Sequence, residues 1–327
     1  MNYIIALIFL AILTLVMVFY LKAAEKFNIV DRPNERSSHI VHTIRGGGII
    51  FPLAILLQFF AFGFQYSWFV AGLVLISAVS FMDDLKPLSN RVKLFFHLGA
   101  VALLFYQLQL FDLVWYFIIL AIFFVIGTIN AVNFMDGING MTGGYGLITM
   151  VTLLYVNSFE KFTDSNTVLS IIIAILVFNF FNFRKKAKCF AGDVGSVSLA
   201  FILVFFLIQL LLKTQNFSYI LLLLIYGLDV VSTVLFRLIR KENIFEAHRT
   251  HFYQFLVNEK KMSHLMVAIL YCLAQISINF CLIHFRFSSL AYLAIIILIL
   301  GMFIVILRFV CEGYQRLIKN GSLDTIK

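Results

Sequence analysis

The sequence predicts an all-α, polytopic integral membrane protein, and three observations lead to this fold class. Of the 327 residues, 62% are hydrophobic and only 13% are charged, whereas a soluble domain is about half apolar and about a quarter charged. The mean hydropathy is +1.00. Apolar segments recur along the whole chain. As helices, they are about long enough to cross the hydrocarbon core of a bilayer. These observations exclude a water-soluble globular protein.

The net charge of +9 does not indicate a nucleic-acid partner. Nucleic-acid binding needs an exposed basic face, and the chain has too few polar residues to form one. The basic residues suit a membrane surface instead, because anionic headgroups attract Lys and Arg. We expect membrane lipids as a partner and no nucleic acid.

Eleven apolar segments are candidate helices, and about 10–11 of them are expected to cross the membrane. The first lacks the basic region and the cleavage site of a signal peptide, so we expect it to be retained. No linker divides these segments, and the sequence contains no convincing internal repeat. We therefore expect one helical membrane domain over residues 1–327 with catalytic cytoplasmic loops. The segments are 2–21, 48–65, 66–82, 93–110, 113–130, 144–158, 167–183, 197–213, 218–237, 264–284 and 290–308.

The basic residues indicate the orientation, since Lys and Arg accumulate in cytoplasmic loops. With the N-terminus outside, 22 of the 25 Lys and Arg residues and 12 of the 16 acidic residues lie in loops or helix ends on one side. The other side keeps only Lys161, Lys213 and Arg286. We therefore expect an outside N-terminus and a cytoplasmic C-terminus.

Two adjacent carboxylates, Asp83 and Asp84, follow the third apolar segment. Neighbouring side chains on a helix point about 100° apart, so the two can face one ligand only where the helix ends. A helix C-terminus disfavours negative charge. The locally unfavourable pair indicates a cation site or a proton-transfer role, with a simple helix-end marker as the alternative.

The densest polar segment runs from Asn130 to Gly144 and contains no basic residue. Asn130 and Asn133 share a helix face because they are three residues apart, and Asp136 and Asn139 follow among glycines. Amide and carboxylate oxygens suit a hard cation such as Mg²⁺. An ordinary turn would need only two or three such residues, so the length of the segment favours a functional site.

A glycine-framed carboxylate, Asp193, follows a basic cluster that ends at Lys188. Backbone N–H groups at a helix start beside basic side chains make an anion site, and the acid could hold a metal. The basic cluster could equally be a topology anchor.

Two further inner loops carry groups suited to phosphate. His248, Arg249 and His251 form one cluster, which has too few soft or imidazole ligands nearby for zinc. The first inner loop ends with Arg45 and the glycines 46–48, where a backbone could approach a ligand. Its arginines can bind a phosphate with two hydrogen bonds. An ordinary connecting loop is the alternative for that segment.

One carboxylate, Asp229, lies inside an apolar span. An intramembrane carboxylate indicates a functional role by default. Asn or Tyr from a neighbouring helix could also satisfy it, which favours a structural role.

In this order, the five motifs from Asp31 to Gln254 resemble those of the polyprenyl-phosphate N-acetylhexosamine-1-phosphate transferases of the glycosyltransferase family 4 type. This superfamily includes the phospho-MurNAc-pentapeptide translocase of peptidoglycan synthesis and the GlcNAc-1-phosphate transferases that start O-antigen, teichoic-acid and N-glycan assembly. The likeness is most specific in Asn130 to Gly144. It implies Mg²⁺, with Mn²⁺ as the alternative, and a UDP-sugar bound on the cytoplasmic side.

The resemblance also implies roles for the motif residues. The paired acids at the lipid-phosphate site would be Asp83 and Asp84. The magnesium ligands would be Asn133 and Asp193. The groups that serve the nucleotide would be Asp136 and Asn139. The pyrophosphate would be bound by His248, Arg249 and His251. The remaining candidates for substrate binding are Arg45, Asn130 and Lys188.

Two departures from the family pattern bear on which substrate the resemblance implies. The longer acidic motif often has a third Asp, and here that position is Pro87. The last motif, His248-Arg-Thr-His251, is not the three-histidine run typical of the MurNAc-pentapeptide enzyme. The resemblance therefore points to a bacterial enzyme of surface-polysaccharide synthesis that uses UDP-GlcNAc, UDP-GalNAc or a deoxy relative.

The sequence thus predicts a Mg-dependent sugar-1-phosphate transferase of the bacterial inner membrane. It would transfer HexNAc-1-phosphate from a UDP-N-acetylhexosamine to undecaprenyl phosphate and release UMP, so starting O-antigen lipopolysaccharide, capsule or teichoic-acid synthesis. The MurNAc-pentapeptide translocase is the first alternative. A secondary transporter or a non-catalytic assembly protein is the alternative of another class, and a homodimer is left open.

Overall fold

The computed structural model describes residues 1–31, 42–244, 246, 248–285 and 288–319. Most of these residues are helical. The α-helices are α1 (Tyr3–Lys26), α2 (Ile50–Ala61), α3 (Ser67–Leu85), α4 (Asn90–Gln107), α5 (Trp115–Met135), α6 (Met141–Glu160), α7 (Ser165–Asn182), α8 (Gly192–Thr214), α9 (Leu224–Ile239), α10 (Phe252–Asn258), α11 (His264–Phe285) and α12 (Leu290–Tyr314). Short 3₁₀ helices span Gly47–Ile49, Leu110–Asp112 and Phe217–Leu223, and a π-helical turn spans Gln315–Lys319.

Each of the eleven predicted segments corresponds to a helix, with ends that differ by a few residues. Two differences matter for the site: α5 continues to Met135 and α8 already begins at Gly192. Two small elements were not predicted. One is α10, and the other is an antiparallel ribbon of β1 (Val30–Asp31) and β2 (Thr43–Ile44). Both are too short to produce a recognisable hydrophobic period.

Within the described part of the chain, eight helical segments are long and apolar enough to cross a membrane. This confirms the predicted all-α, polytopic membrane fold, but eight segments are fewer than the 10–11 that the sequence predicted; the helix over Gly47–Ala61, for example, is too short to be counted. The segments are α1, α3, α5, α7, α8, the 3₁₀ helix Phe217–Leu223 together with α9, α11, and α12 with its π-helical turn.

Helix α8 lies at the centre of the bundle. In its most apolar 18-residue stretch 89% of the residues are buried, against 6% in the corresponding stretch of α12. Phe205 of α8 stacks on Phe69 of α3 with ring centroids 3.8 Å apart. The outer helices α1, α5 and α12 expose apolar side chains, as expected for helices that face lipid. The start of α8 is therefore surrounded by the ends of other helices.

The start of α8 also packs backbone to backbone against the segment that leads into α2. Gly47 and Gly48 donate N–H groups to the carbonyls of Phe190 and Ala191 at 2.8 and 3.0 Å. A Cβ on Gly48 would overlap the backbone of Gly195, so this close approach requires glycine. The sequence predicted that these glycines allow the backbone to approach a ligand. In the structure, they instead allow two segments of the chain to pack closely against each other.

The polar motifs meet at one end of the bundle, because α3, α5, α7 and α9 end where α4, α6 and α8 begin. Hydrogen bonds between the motifs show this directly. Residues 32–41 of the first loop, with Arg32 and Arg36, lie outside the described residues, as do Arg286 and Lys327.

Candidate functional site

A cavity of about 640 Å³ opens at this polar end, among α4, α5, α8 and the loop before α10. Several side chains that were not predicted contribute to its wall, including Asn90, Lys93, His97 and Gln254. The predicted site residues that line it are Asn130, Asn133, Asp193, His248 and His251. The other predicted residues lie behind or beside the wall.

Arg45 joins two of the predicted acids. Its Nε lies 2.6 Å from Asp84 Oδ1, and its Nη2 lies 3.2 Å from Asp193 Oδ1. Burial lowers the pKa of Arg45, but the two carboxylates outweigh burial and raise it. The charged guanidinium therefore connects the loop after β2 with the end of α3 and the start of α8.

Asp84 caps the N-terminus of α8. Its side chain is fully buried and accepts the N–H groups of Asp193 and Val194 at 2.9 and 3.0 Å. Gly192 has φ +73°, and a Cβ there would lie 2.6 Å from Asp84 Oδ2, so glycine makes room for the cap. The backbone N–H groups that the sequence predicted for a substrate anion thus bind the protein's own carboxylate.

Asp83 points to a different set of partners. Its Oδ1 accepts the N–H of Leu88 at 2.6 Å, and its Oδ2 lies 3.0 Å from the ammonium of Lys93. The two adjacent acids therefore do not share a ligand. Each holds a cation, Lys93 or Arg45, and each satisfies backbone N–H groups.

Asn133 and Asp193 both line the cavity. The hydroxyl of Ser196, on the first turns of α8, donates to Asn133 Oδ1 at 2.6 Å. This bond joins α5 to α8. Asn130, one turn earlier on α5, is exposed and lines the cavity.

Asp136 follows the last residue of α5 and is tied to the start of α6. The hydroxyl of Thr142 donates to its Oδ1 at 2.6 Å. Burial raises the pKa of Asp136 to about 6, although the hydrogen bond from Thr142 opposes the shift. Asp136 does not line the cavity.

Asn139 and Lys188 also lie away from the cavity wall. The buried amide of Asn139 donates to the carbonyls of Arg184 and Lys185 at 3.0 and 3.3 Å. Asn139 therefore joins the turn before α6 to the basic loop after α7. The side chain of Lys188, on that loop, is exposed.

His251 is held by the intramembrane carboxylate Asp229. The His251 Nδ1 lies 3.1 Å from Asp229 Oδ1, and Asp229 accepts the N–H groups of Phe252 and Tyr253 at 3.1 and 3.2 Å. The hydroxyl of Tyr271 donates to the same carboxylate. Asp229 thus caps α10 and orients the imidazole, whose buried Nε2 has no hydrogen-bond partner in the described part of the chain.

His248 lies next to His251, with ring centroids 4.9 Å apart. Its Nδ1 is 3.0 Å from the hydroxyl of Thr250. Burial lowers the pKa of His248 to about 3, and nearby His251 and Arg237 contribute to the shift. His248 is therefore neutral near pH 7. Arg249, between the two histidines, does not line the cavity.

Arg308 of α12 is a buried charge whose partners the sequence did not reveal. Its guanidinium donates to the hydroxyls of Ser232 and Thr233 at 2.9 and 2.7 Å, and to the carbonyl of Thr250 at 2.9 Å. Glu312, four residues later, accepts from its Nε at 2.5 Å. In the sequence, Arg308 and Glu312 are four residues apart, a spacing that allows an ion pair on one helix face. Arg308 was interpreted there only as one of the basic residues that set the orientation. Arg308 links α12 to the loop that carries the histidines.

The cavity wall suits a magnesium ion. Among the described residues no three His, Cys, Asp or Glu side chains come together as a metal site. However, Mg²⁺ usually takes one or two protein carboxylates and completes its shell with waters and substrate phosphates. Asp193 keeps 20% of its side chain exposed, and Asn133 adds an amide oxygen donor that also lines the cavity. This donor set fits Mg²⁺ bound together with a phosphate substrate.

Comparison with known proteins identifies one family. Residues 66–211, from just before α3 to near the end of α8, match the family model described as glycosyl transferase family 4. The matched segment includes the acid and amide motifs on α3, α5 and α8, and it ends before the histidine loop. No curated protein matches the chain.

Proposed function

We propose that the chain, whose residues 66–211 match glycosyl transferase family 4, the family of polyprenyl-phosphate hexosamine-1-phosphate transferases, transfers HexNAc-1-phosphate from a UDP-N-acetylhexosamine to undecaprenyl phosphate. The family and the eight apolar helices make it a multi-pass membrane transferase. The acceptor lipid, the sugar nucleotide and the metal are the parts that we propose.

One observation carries the proposal: a single cavity is lined by both oxygen donors and imidazoles. Asn133 and Asp193 supply the oxygens, and His248 and His251 supply the imidazoles. A metal-bound pyrophosphate needs both kinds of group, because metal ligands are anionic or neutral oxygens and phosphate ligands are N–H donors.

The reaction joins two anions. A phosphate oxygen of the lipid attacks the β-phosphorus of the UDP-sugar, the bond from that phosphorus to the bridging oxygen breaks, and UMP leaves with the bridging oxygen. The second pKa of a phosphate monoester is about 6, so the lipid phosphate is mostly a dianion at pH 7. The protein therefore needs to position the two phosphates and neutralise their charge, and a strong base is unnecessary.

Asn133 and Asp193 would hold the metal, with Ser196 and Arg45 orienting them. When bound, Mg²⁺ would neutralise negative charge on the pyrophosphate and on the leaving UMP. Mn²⁺ is the alternative ion, since it takes the same oxygen ligands. Asn130, on the same face of α5, would contact the sugar nucleotide.

The two histidines that line the cavity, His248 and His251, would bind the pyrophosphate. With Nδ1 held by Asp229, His251 presents Nε2 as the ring nitrogen that has no hydrogen-bond partner among the described residues, and this nitrogen could hydrogen-bond a phosphate group in the cavity. Arg249 would contribute positive charge nearby. Asp136 and Asn139 would support the nucleotide site by fixing the turn between α5 and α6.

The pathway follows from the sugar. The two-histidine motif favours UDP-GlcNAc or a relative over the MurNAc-pentapeptide nucleotide, and the product would then start O-antigen, capsule or teichoic-acid synthesis. The bias of basic residues toward one side favours an active site on the cytoplasmic face of the bacterial inner membrane. The family match favours a transferase over a secondary transporter.

The test is UMP release by the purified full chain with undecaprenyl phosphate and Mg²⁺. A panel of UDP-GlcNAc, UDP-GalNAc, their deoxy relatives and UDP-MurNAc-pentapeptide gives the specificity. We expect turnover with one HexNAc nucleotide and none with the pentapeptide. Turnover with the pentapeptide alone would favour the translocase, and the absence of UMP with every nucleotide would refute the transferase.

A further inference from the structure

Helix α12 carries a buried charge that the proposed function does not use. The helix lies at the edge of the bundle, and only Leu293 and Arg308 of its 25 residues are buried. The side chain of Arg308 is 1% exposed. A buried charge in a membrane-spanning segment is costly unless hydrogen bonds and opposite charges satisfy it. The partners of this guanidinium therefore indicate what the arginine does.

Two of these partners are the chain neighbours of His251. The Nη2 of Arg308 donates to the carbonyl of Thr250 at 2.9 Å. The guanidinium carbon lies 5.9 Å from the ring centroid of Phe252, within the range of a cation–π contact. The residue before His251 and the residue after it are thus both in contact with Arg308, which fixes the loop on either side of the imidazole.

A third partner connects Arg308 to the carboxylate that binds His251. The Nη1 of Arg308 donates to the hydroxyl of Thr233 at 2.7 Å, and this hydroxyl donates to Asp229 Oδ1 at 3.3 Å. A guanidinium only donates, and a hydroxyl has one hydrogen to give. The hydrogen of Thr233 is therefore left for Asp229, whose Oδ1 lies 3.1 Å from His251 Nδ1.

The guanidinium is itself fixed from α12. Its Nε donates to Glu312 at 2.5 Å, and Glu312 also accepts from the Nε of Arg316 at 2.9 Å. Arg316 in turn forms an ion pair with Glu259, the residue that follows α10. The N–H groups of an arginine point in fixed directions within one plane. Arg308 therefore sets the position of α9 relative to the histidine loop.

We propose that Arg308 is a positioning residue for His251, which holds the loop and Asp229 so that the imidazole stays at the cavity wall. This inference rests on the proposed function, in which His251 binds the pyrophosphate, and it adds a residue of a lipid-facing helix to that site. Arg308 does not line the cavity, so it acts through Thr250, Phe252 and Asp229. Its loss should weaken the binding of the sugar nucleotide and spare the binding of the lipid acceptor.

Steady-state kinetics of the purified full chain separate positioning from folding. A variant that only folds less well contains less active enzyme, which lowers the apparent kcat and leaves both KM values unchanged. We expect Arg308→Met to raise the KM for the UDP-sugar about tenfold, as for the loss of a hydrogen bond to a charged group. The KM for undecaprenyl phosphate should stay within about twofold. Wild-type KM values for both substrates would overturn the positioning role.

The control for the loss of a buried guanidinium is Arg240→Met. The side chain of Arg240 is 4% exposed, and among the described residues its hydrogen bonds go to Glu242 and to the carbonyls of Arg316 and Leu317. It also joins α9 to the end of α12, but without a hydrogen bond to Thr250. We expect a lower melting temperature and a KM for the UDP-sugar within about twofold of the wild type. Equal rises of this KM in both Arg→Met variants would contradict the proposal.

Two neighbouring hydroxyls provide milder variants, which serve even if Arg308→Met fails to fold. Ser232 and Thr233 each accept one hydrogen bond from Arg308. Only the Thr233 hydroxyl reaches the carboxylate of Asp229, whereas the Ser232 hydroxyl donates to the backbone carbonyl of that residue. We expect the KM for the UDP-sugar to rise about threefold in Thr233→Val and less than about twofold in Ser232→Ala. Equal values for the two variants would count against the path through Thr233.

Arg308→Lys separates the charge from the geometry. Lysine keeps a positive charge beside Glu312 but lacks the planar fork that reaches several partners at once. We expect a melting temperature close to that of the wild type and a KM for the UDP-sugar about fivefold higher. A wild-type KM in this variant would show that the charge alone suffices and would overturn the positioning role.

Nucleotide binding gives a readout that does not depend on turnover. UDP has the diphosphate that the histidines would bind, and UMP lacks it. With Mg²⁺ present, we expect UDP to raise the melting temperature of the wild type more than UMP does, and we expect this difference to disappear in Arg308→Met and to persist in Arg240→Met. The same difference in all three proteins would overturn the positioning role and leave the transferase intact. Absence of UMP release by the wild type with every sugar nucleotide would instead refute the proposed function.

Discussion

Asp84 at the end of α3 and Asp229 in α9 each accept two backbone N–H groups from the first turn of a helix far along the chain. Both side chains are buried, and each also pairs with one basic side chain. The partner of Asp84 is Arg45, which also forms an ion pair with Asp193. The partner of Asp229 is His251, whose Nε2 has no hydrogen-bond partner among the residues that the structure describes.

The comparison shows that a buried aspartate that caps a helix can have two different roles. The Asp84 cap is closed, because all its hydrogen bonds and its ion pair end within the protein. The Asp229 cap leaves one imidazole nitrogen available at the cavity. We therefore expect changes at Asp84 to act mainly on folding, and changes at Asp229 to act mainly on substrate binding and turnover.

Asp84→Asn should produce the largest loss of stability. The variant leaves Arg45 without its closest carboxylate and places an amide donor against the N–H groups of α8. Breaking a buried ion pair costs about 3–5 kcal/mol, and we expect about 3 kcal/mol because Arg45 keeps 33% of its side chain exposed. Thermal unfolding in detergent measures the loss. The control is Asp112→Asn, an exposed acid away from the site, and equal melting temperatures for both variants would contradict the cap.

Asp193→Asn should produce the largest loss of turnover with little loss of stability. Its carboxylate is the only acidic group among the proposed metal ligands, and electrostatic stabilisation by a metal is worth several kcal/mol. We expect UMP release to fall more than about a hundredfold while the melting temperature stays close to that of the wild type. If near-normal UMP release persists in the variant, the metal site lies elsewhere.

Asp229→Asn should lower turnover more than its effect on stability alone would explain. The amide can still accept a backbone N–H, but it has no negative charge with which to hold the imidazole of His251. By analogy with partners that orient metal-bound histidines, we expect a loss of about tenfold to a hundredfold and a higher KM for the UDP-sugar. Asp84→Asn is the matched comparison, since it makes the same chemical change in the other helix cap. If the two variants lose stability and turnover in the same proportion, the distinction between the caps is wrong.

His248 should give the smallest effect, a pH dependence of stability. Its pKa is lowered to about 3 in the folded protein, against about 6.5 in an unfolded chain. The unfolded state therefore binds more protons, and stability falls as the pH drops from about 6.5 toward 3. His248→Asn should flatten this part of the profile of melting temperature against pH. An unchanged slope in the variant would show that other groups cause it.

The sequence was sufficient for the helices and for most of the residues around the cavity. Hydrophobic length and the absence of charge are local properties, so the eleven segments could be recognised one by one. The motif of Asn130 and Asn133 needed only helical spacing, and both side chains do line the cavity. Lys93 and His97 were not predicted as site residues, because a Lys and a His near the start of an apolar helix resemble topology and packing residues.

By itself, the sequence determined that the chain is a helical membrane protein with polar motifs at helix ends, since burial in lipid depends on the composition of each segment. Only the tertiary structure decided which partner each carboxylate has. Asp83 and Asp84 are neighbours in the chain, yet they face Lys93 and Arg45, and Asp229 meets His251 from another element. Hydrogen bonds and ion pairs act over about 3 Å, so they depend on which helix ends the packing brings together and not on spacing in the sequence.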